Sequence, residues 1–169
     1  MPETKAHDRL TLITAGLVTP VALLVPSDNR WLTWGTVTGS YLLSGLLFSN
    51  DLDVQAAEYR RWGPLRWLWW PYAHLVLHRS WVSHGLIIGP LLRLIYSALV
   101  LELLVVLLTA AAQLFGVGGL NWLNAWHLFW GELLQAHPRR LGEFLVGFVL
   151  AGAAHTVPDR FTTGVKRLF

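Results

Sequence analysis

The chemistry open to this sequence rests on its histidines and aspartates. There are seven histidines and no cysteine, so neither a disulfide framework nor a thiolate metal site is available. An ion would have to be held by imidazole, carboxylate or backbone oxygen, a donor set that suits zinc, manganese, iron or magnesium. The densest stretch is HRSWVSHG, residues 78–85, with His78, Arg79 and His84 directly before a long apolar run. Other residues of ligand type are His7 and Asp8, Asp51 and Asp53 in the segment DLD, His74, and His155 with Asp159 in HTVPD. His155 and Asp159 are four apart, so one helical face presents both to the same ion, although Pro158 marks a candidate helix end between them. His74 and His78 share the same spacing on an expected short helix. His78 and His84 are six apart, which suits a turn joining two elements around an ion. The DLD pair points both carboxylates one way on a strand or loop, while Asp51 after Ser49 and Asn50 is also a candidate helix N-cap. Taken singly, a histidine or aspartate at a helix end is most often a cap or a solvated group. Convergence of the whole set is what argues for an ion.

The elements that must bring them together are apolar. The chain has 169 residues, 54% hydrophobic and 14% charged, against roughly 25% charged in soluble domains. Its mean hydropathy is +0.46. The length predicts one domain, residues 1–169. Four apolar blocks stand out: residues 10–25, 31–48, 86–115 and 141–154. Crossing the hydrocarbon takes about 20 helical residues, so the first and last blocks are marginal and the third is ample. The blocks lack a polar face and carry no strand signal. The expected fold is therefore all-α, a polytopic membrane bundle of about four helices, in preference to a soluble bundle with a greasy core. No small-residue cleavage site follows the first block. The piece LNWLNAWHLFWGELL, residues 120–134, reads as an interfacial or re-entrant helix. YRRWGPLRWLWWPY, residues 59–72, reads as an interfacial anchor, with a lipid-gathering lip as the sharper alternative. Within the third block, Arg93 and Glu102 are costly charges that call for partners or mark an ion path.

Basic residues set the orientation. Lys5 and Arg9 precede the first block, Arg60, Arg61, Arg66 and Arg79 follow the second, and Arg160, Lys166 and Arg167 follow the fourth. The positive-inside rule puts these segments on the cytoplasmic side of the membrane, with Arg139 and Arg140 dissenting. This topology gathers the candidate ligands on one membrane face and leaves only His127 and His137 on the other. The net charge of +3 flanks apolar segments rather than forming one stripe, so the expected partner is membrane lipid and not nucleic acid.

The motifs carry a resemblance over nearly the whole chain. An early His-Asp, an Asn-Asp-Leu-Asp, an arginine- and tryptophan-rich segment, His-Arg-Ser-x-x-Ser-His and a late His-x-x-x-Asp are all present, with residues 44–85 as the core. The sequence resembles an uncharacterised bacterial and cyanobacterial family of predicted metal-binding proteins. It is more distantly similar to YdjM-like membrane-bound metal-dependent hydrolases. Related sequences often have a carboxylate one turn before the late histidine, where this chain has Leu150 and Ala151.

The resemblance implies His7, Asp8, Asp51, Asp53, His78, His84, His155 and Asp159 as metal ligands, with His74 outside the motif. Eight ligands exceed the four of a single zinc site, so either two ions or carboxylates that orient the histidines are expected. The implied activity is hydrolysis of a lipid or small-molecule phosphoester by metal-activated water, with Asp53 or Asp8 as general base and Arg79 binding phosphate. Non-catalytic alternatives are an ion carrier, a sensor or a structural zinc site. A carrier would hold its ligands at mid-membrane, whereas these lie at the membrane edge.

Overall fold

The computed structural model describes the chain except residues 1, 50–51, 53–56, 77–79, 81–84, 118–120 and 167–169, and gives the backbone alone for residues 2–6, 57 and 158–166. Among the described residues the fold is all-helical, as expected.

Helix α1 (Pro2–Val18) starts earlier than the first apolar block, so His7 and Asp8 lie on the helix rather than ahead of it. Pro20 lacks the N–H an α-helix needs, and the chain tightens there into a 3-10 turn, Thr19–Leu24. The polar turn after it ends at Asn29, whose side chain accepts from the Leu32 N–H at 3.0 Å and caps α2 (Arg30–Leu47).

Helix α2 is central. Its buried positions Thr33, Val37, Ser40, Tyr41, Ser44 and Gly45 recur at helical spacing, and it packs mainly on α7 (Pro138–Lys166) and also on α1. Small residues let these backbones close up. A Cβ on Gly147 would stand 2.3 Å from the Val37 carbonyl oxygen, and one on Gly45 would stand 2.4 Å from the Thr11 methyl. Ala15, Tyr41 and Ala151 join the three helices in one apolar core.

Beyond α2 come α3 (Ala57–Arg61), a 3-10 segment Gly63–Trp69 and α4 (Trp70–Leu75). Gly63, at φ 53°, makes the turn out of α3. The tryptophan-rich segment divides its surface. Trp69 and Tyr72 are buried with Leu52 in a second core, flanked by Phe48, Trp62 and Tyr96. Trp67 and Trp70 remain exposed, so only part of the segment can serve as an interfacial anchor. Helix α4 ends at Leu75 and Val76 is extended; His78, expected on one helix face with His74, lies outside the described residues.

The most apolar 18-residue window of helix α5 (Ile88–Leu114) has mean hydropathy 2.4 and is 6% buried. Helix α5 and Pro138–Val157 of α7 are two helices long and apolar enough to cross a membrane. Helix α6 (Trp122–Ala136) buries none of its residues. Glu102, on α5, accepts from Trp126 at 2.7 Å and is 2.8 Å from His127 Nε2, which ties α6 to α5. The fourth apolar block belongs to a helix twice its length. Pro138 opens it, and the backbone stays helical past Pro158 to Lys166, so that proline does not end the helix between His155 and Asp159.

Candidate metal centre

One end of the bundle collects residues of metal-ligand type. His7 sits in the second turn of α1, one residue before Asp8, and His155 lies deep in α7. Their rings stack with centroids 4.3 Å apart and an interplanar angle of 27°. Stacking leaves the ring nitrogens at the edges, pointing outward rather than at each other. Residues 148 apart in sequence are thus brought together by the α1–α2–α7 packing that Gly45 and Gly147 permit. His155 is 4% exposed, with Ala151 and Thr156 buried beside it.

Asp8 is held by a partner that sequence reasoning assigned only to the positive loop. Arg61 of α3 pairs with Asp8 Oδ2 and also donates to the Leu46 carbonyl at 2.8 Å. Trp62 donates to the Leu47 carbonyl at 3.0 Å. Between them they satisfy carbonyls in the last turn of α2, which the helix itself leaves without donors. The pair therefore does two jobs, closing α2 and orienting the carboxylate next to His7. A carboxylate held by a neighbouring donor is the usual state of a metal ligand's supporting shell.

Ser49 and Leu52, on either side of Asp51, are buried. A Cβ on Gly152, three residues before His155, would stand 2.2 Å from Pro90 Cγ, so the start of α5 lies against α7 there. Arg93, one turn further along α5, is fully buried. The candidates Asp51, Asp53, His78, Arg79 and His84 lie outside the described residues, and the side chain of Asp159 does too. Of the implied ligand set, the structure accordingly relates His7, Asp8 and His155. Among the described residues, no group of three or more His, Asp or Glu gathers to hold an ion. His74 is exposed in the last turn of α4, where its Nδ1 is 2.8 Å from the Trp70 carbonyl and its ring lies on the Trp70 indole.

Of the implied set the His7 and His155 rings are in contact while Asp8 is turned to Arg61, so the described residues supply two neighbouring imidazoles and not a complete ligand set. Leu150 is exposed and Ala151 buried, so the turn before His155 contributes packing and no carboxylate.

The opposite end of the α2–α7 pair is a closed polar network. Glu143 accepts from Arg140 at 2.6 Å, from Arg139 at 3.1 Å and from the Thr33 hydroxyl at 2.9 Å. Arg140 also donates to Thr33 at 3.0 Å, Ser27 and Thr33 are 2.8 Å apart, and Arg139 reaches the Pro26 carbonyl. Arg139 and Arg140 dissent from the charge pattern because they serve this clamp.

The family model for "Uncharacterized metal-binding protein (DUF2227)" matches residues 2–169. No curated protein and no solved structure matches the chain.

Proposed function

We propose a function from one premise: the chain belongs to the uncharacterized metal-binding protein family that matches it over residues 2–169. It is a membrane-bound, metal-dependent hydrolase of phosphoesters. Its ion or ions, zinc first with manganese, iron and magnesium as alternatives, are held by His7, Asp8, Asp51, Asp53, His78, His84, His155 and Asp159. The observation that carries this reading is the stack of His7 on His155, which joins the first and last helices of the fold through two ligand-type rings.

Four spans follow: α1 with its 3-10 extension, α2, α5 and α7, with α6 lying along the membrane surface. The apolar exposure of Leu99, Leu103 and Leu107 on α5 supports this, since water would not tolerate it and hydrocarbon would. The metal end then faces the cytoplasm, where the basic segments around Arg9, Arg60 and Arg66 meet anionic headgroups.

A bound ion supplies charge neutralisation and an activated water in such sites. The chain's own residues do the rest. Asp8 Oδ2 is engaged by Arg61, which leaves Oδ1 to take a proton, and Asp53 is the other candidate base. As the water oxygen bonds to phosphorus the P–O ester bond breaks, and the departing alkoxide recovers a proton from that carboxyl. Arg79 binds the remaining phosphoryl oxygens, for which a planar guanidinium is well shaped.

A second reading has an observation of its own. The deep burial of His155 also suits a closed, non-catalytic site, whether structural zinc, a sensor or an ion carrier. Hydrolysis of a chromogenic phosphodiester and of phospholipid vesicles separates the two. The hydrolase reading expects turnover that a chelator abolishes and zinc or manganese restores. A chain that holds metal and turns over neither substrate contradicts it and leaves the non-catalytic reading.

A further inference from the structure

We infer that the open groove between α1 and α2 holds one acyl chain of a lipid whose phosphate headgroup lies at Arg61. The inference rests on the phosphoester reading above and narrows its substrate class to lipids.

The groove has a volume of about 640 Å³. Leu12 of α1 forms one wall, and Gly39, Leu42, Leu43, Leu46 and Leu47 of α2 form the other. Among the described residues lining it, only Asp8 and Arg61 are charged, and both stand at the end near α3. A wall of leucines offers nothing to the hydrogen-bonding edges of a base or a sugar, and burying those edges unpaired is costly. It suits methylenes, which need no hydrogen-bond partner. Gly39 and Leu47 are eight residues apart on α2, about 12 Å along the axis, so the groove runs lengthwise like an extended chain.

The charged end fixes which way the lipid lies. Arg61 gives N–H groups to Asp8 and to the Leu46 carbonyl, and a guanidinium has five N–H donors in all. Its side chain is 28% exposed, so further donors can reach a phosphate oxygen. Arg9 and Arg60, both exposed, stand beside Asp8 and Arg61 in sequence and leave this end with a positive excess. An anionic head is therefore complementary and a cationic one is not. Asp8 also adjoins His7 of the stacked pair, so a phosphate at Arg61 sits beside the candidate metal centre.

Gly39 supplies a clean test, because a Cβ there meets no atom within 4 Å. Gly39→Phe starts a ring into the groove from an unobstructed Cβ and replaces a poor helix former. The full-length chain, in a neutral detergent, is titrated with dodecyl phosphate, dodecanol or inorganic phosphate and read by native mass spectrometry. The expected result is one retained dodecyl phosphate, favoured over dodecanol by about tenfold or more, the usual scale of a charge-assisted hydrogen bond. Gly39→Phe should lose that adduct. Arg61→Gln should keep alkyl binding and lose the preference for phosphate, a readout that does not depend on the glycine variant. Equal retention by wild type and Gly39→Phe overturns the inference, as does retention of inorganic phosphate as strong as that of dodecyl phosphate. The same spectra report bound metal. Metal without alkyl-phosphate preference overturns the groove alone, whereas alkyl-phosphate binding by a chain that takes up no metal overturns the hydrolase reading alone.

Discussion

The two ends of the α2–α7 pair use polar residues in opposite ways. At one end, Glu143 takes hydrogen bonds from Arg139, Arg140 and Thr33, so the charges satisfy one another within the protein. At the other, His7 and His155 meet face to face with their nitrogens turned outward, and one carboxylate stands beside them under the control of Arg61. The first arrangement joins helices and has no capacity left for a ligand. The second brings two imidazole rings face to face beside a carboxylate that belongs to another pair. Equal proximity of polar groups therefore means different things: hydrogen bonds hold the clamp together, while ring stacking and one ion pair hold the other end.

Three substitutions sharpen that contrast. The largest effect is expected from Gly147→Ala, between the two ends. Its Cβ would stand 2.2 Å from Ser40 Oγ and 2.3 Å from the Val37 carbonyl oxygen, and a backbone atom cannot swing aside. Forcing α2 and α7 apart should cost about 3 kcal/mol, and should weaken metal retention and the clamp together. A smaller, one-ended effect is expected from Glu143→Gln. It removes the ionised acceptor that two arginines share, for a loss of about 2 kcal/mol, seen as a lower thermal midpoint in detergent. Metal content should not change; a parallel loss of metal would mean the two ends are not independent. Smallest of all is the stability effect of Arg61→Gln. This pair is partly exposed, and such pairs contribute at most about 1 kcal/mol. Its thermal midpoint should barely move while metal affinity falls, because Asp8 loses the donor that orients it. A large drop in midpoint with unchanged metal affinity would make Arg61 a cap for α2 and nothing more.

The helical character was legible because the apolar runs are long and uninterrupted, and α5 appears where residues 86–115 predicted it. The ends were less legible. Charged residues among the first nine hid the start of α1, so His7 and Asp8 read as a tail although they ride on a helix. Proline misled in the other direction at position 158, where α7 continues because the turns before it are already packed against α2. The spacing of His74 and His78 pointed to a shared helix that stops at Leu75, with His74 turned to the Trp70 carbonyl. Of the site, residue type singled out His7 and His155, while their contact depends on how α1 packs against α7. The engagement of Asp8 by Arg61 was not legible, since nothing in local sequence distinguishes Arg61 from Arg60. The roles of Arg139 and Arg140 were hidden likewise, because they depend on Glu143 facing Thr33 across the helix pair.

The central claim is that His7 and His155 serve one ion. Elemental mass spectrometry of the detergent-purified chain, beside His7→Ala and His155→Ala, tests it most directly. The account predicts that the wild-type protein carries metal and that either substitution removes the same equivalent, with the α-helical circular dichroism intact. Metal retained in full by both folded variants, or absent from the folded wild type after incubation with zinc and manganese, would contradict it.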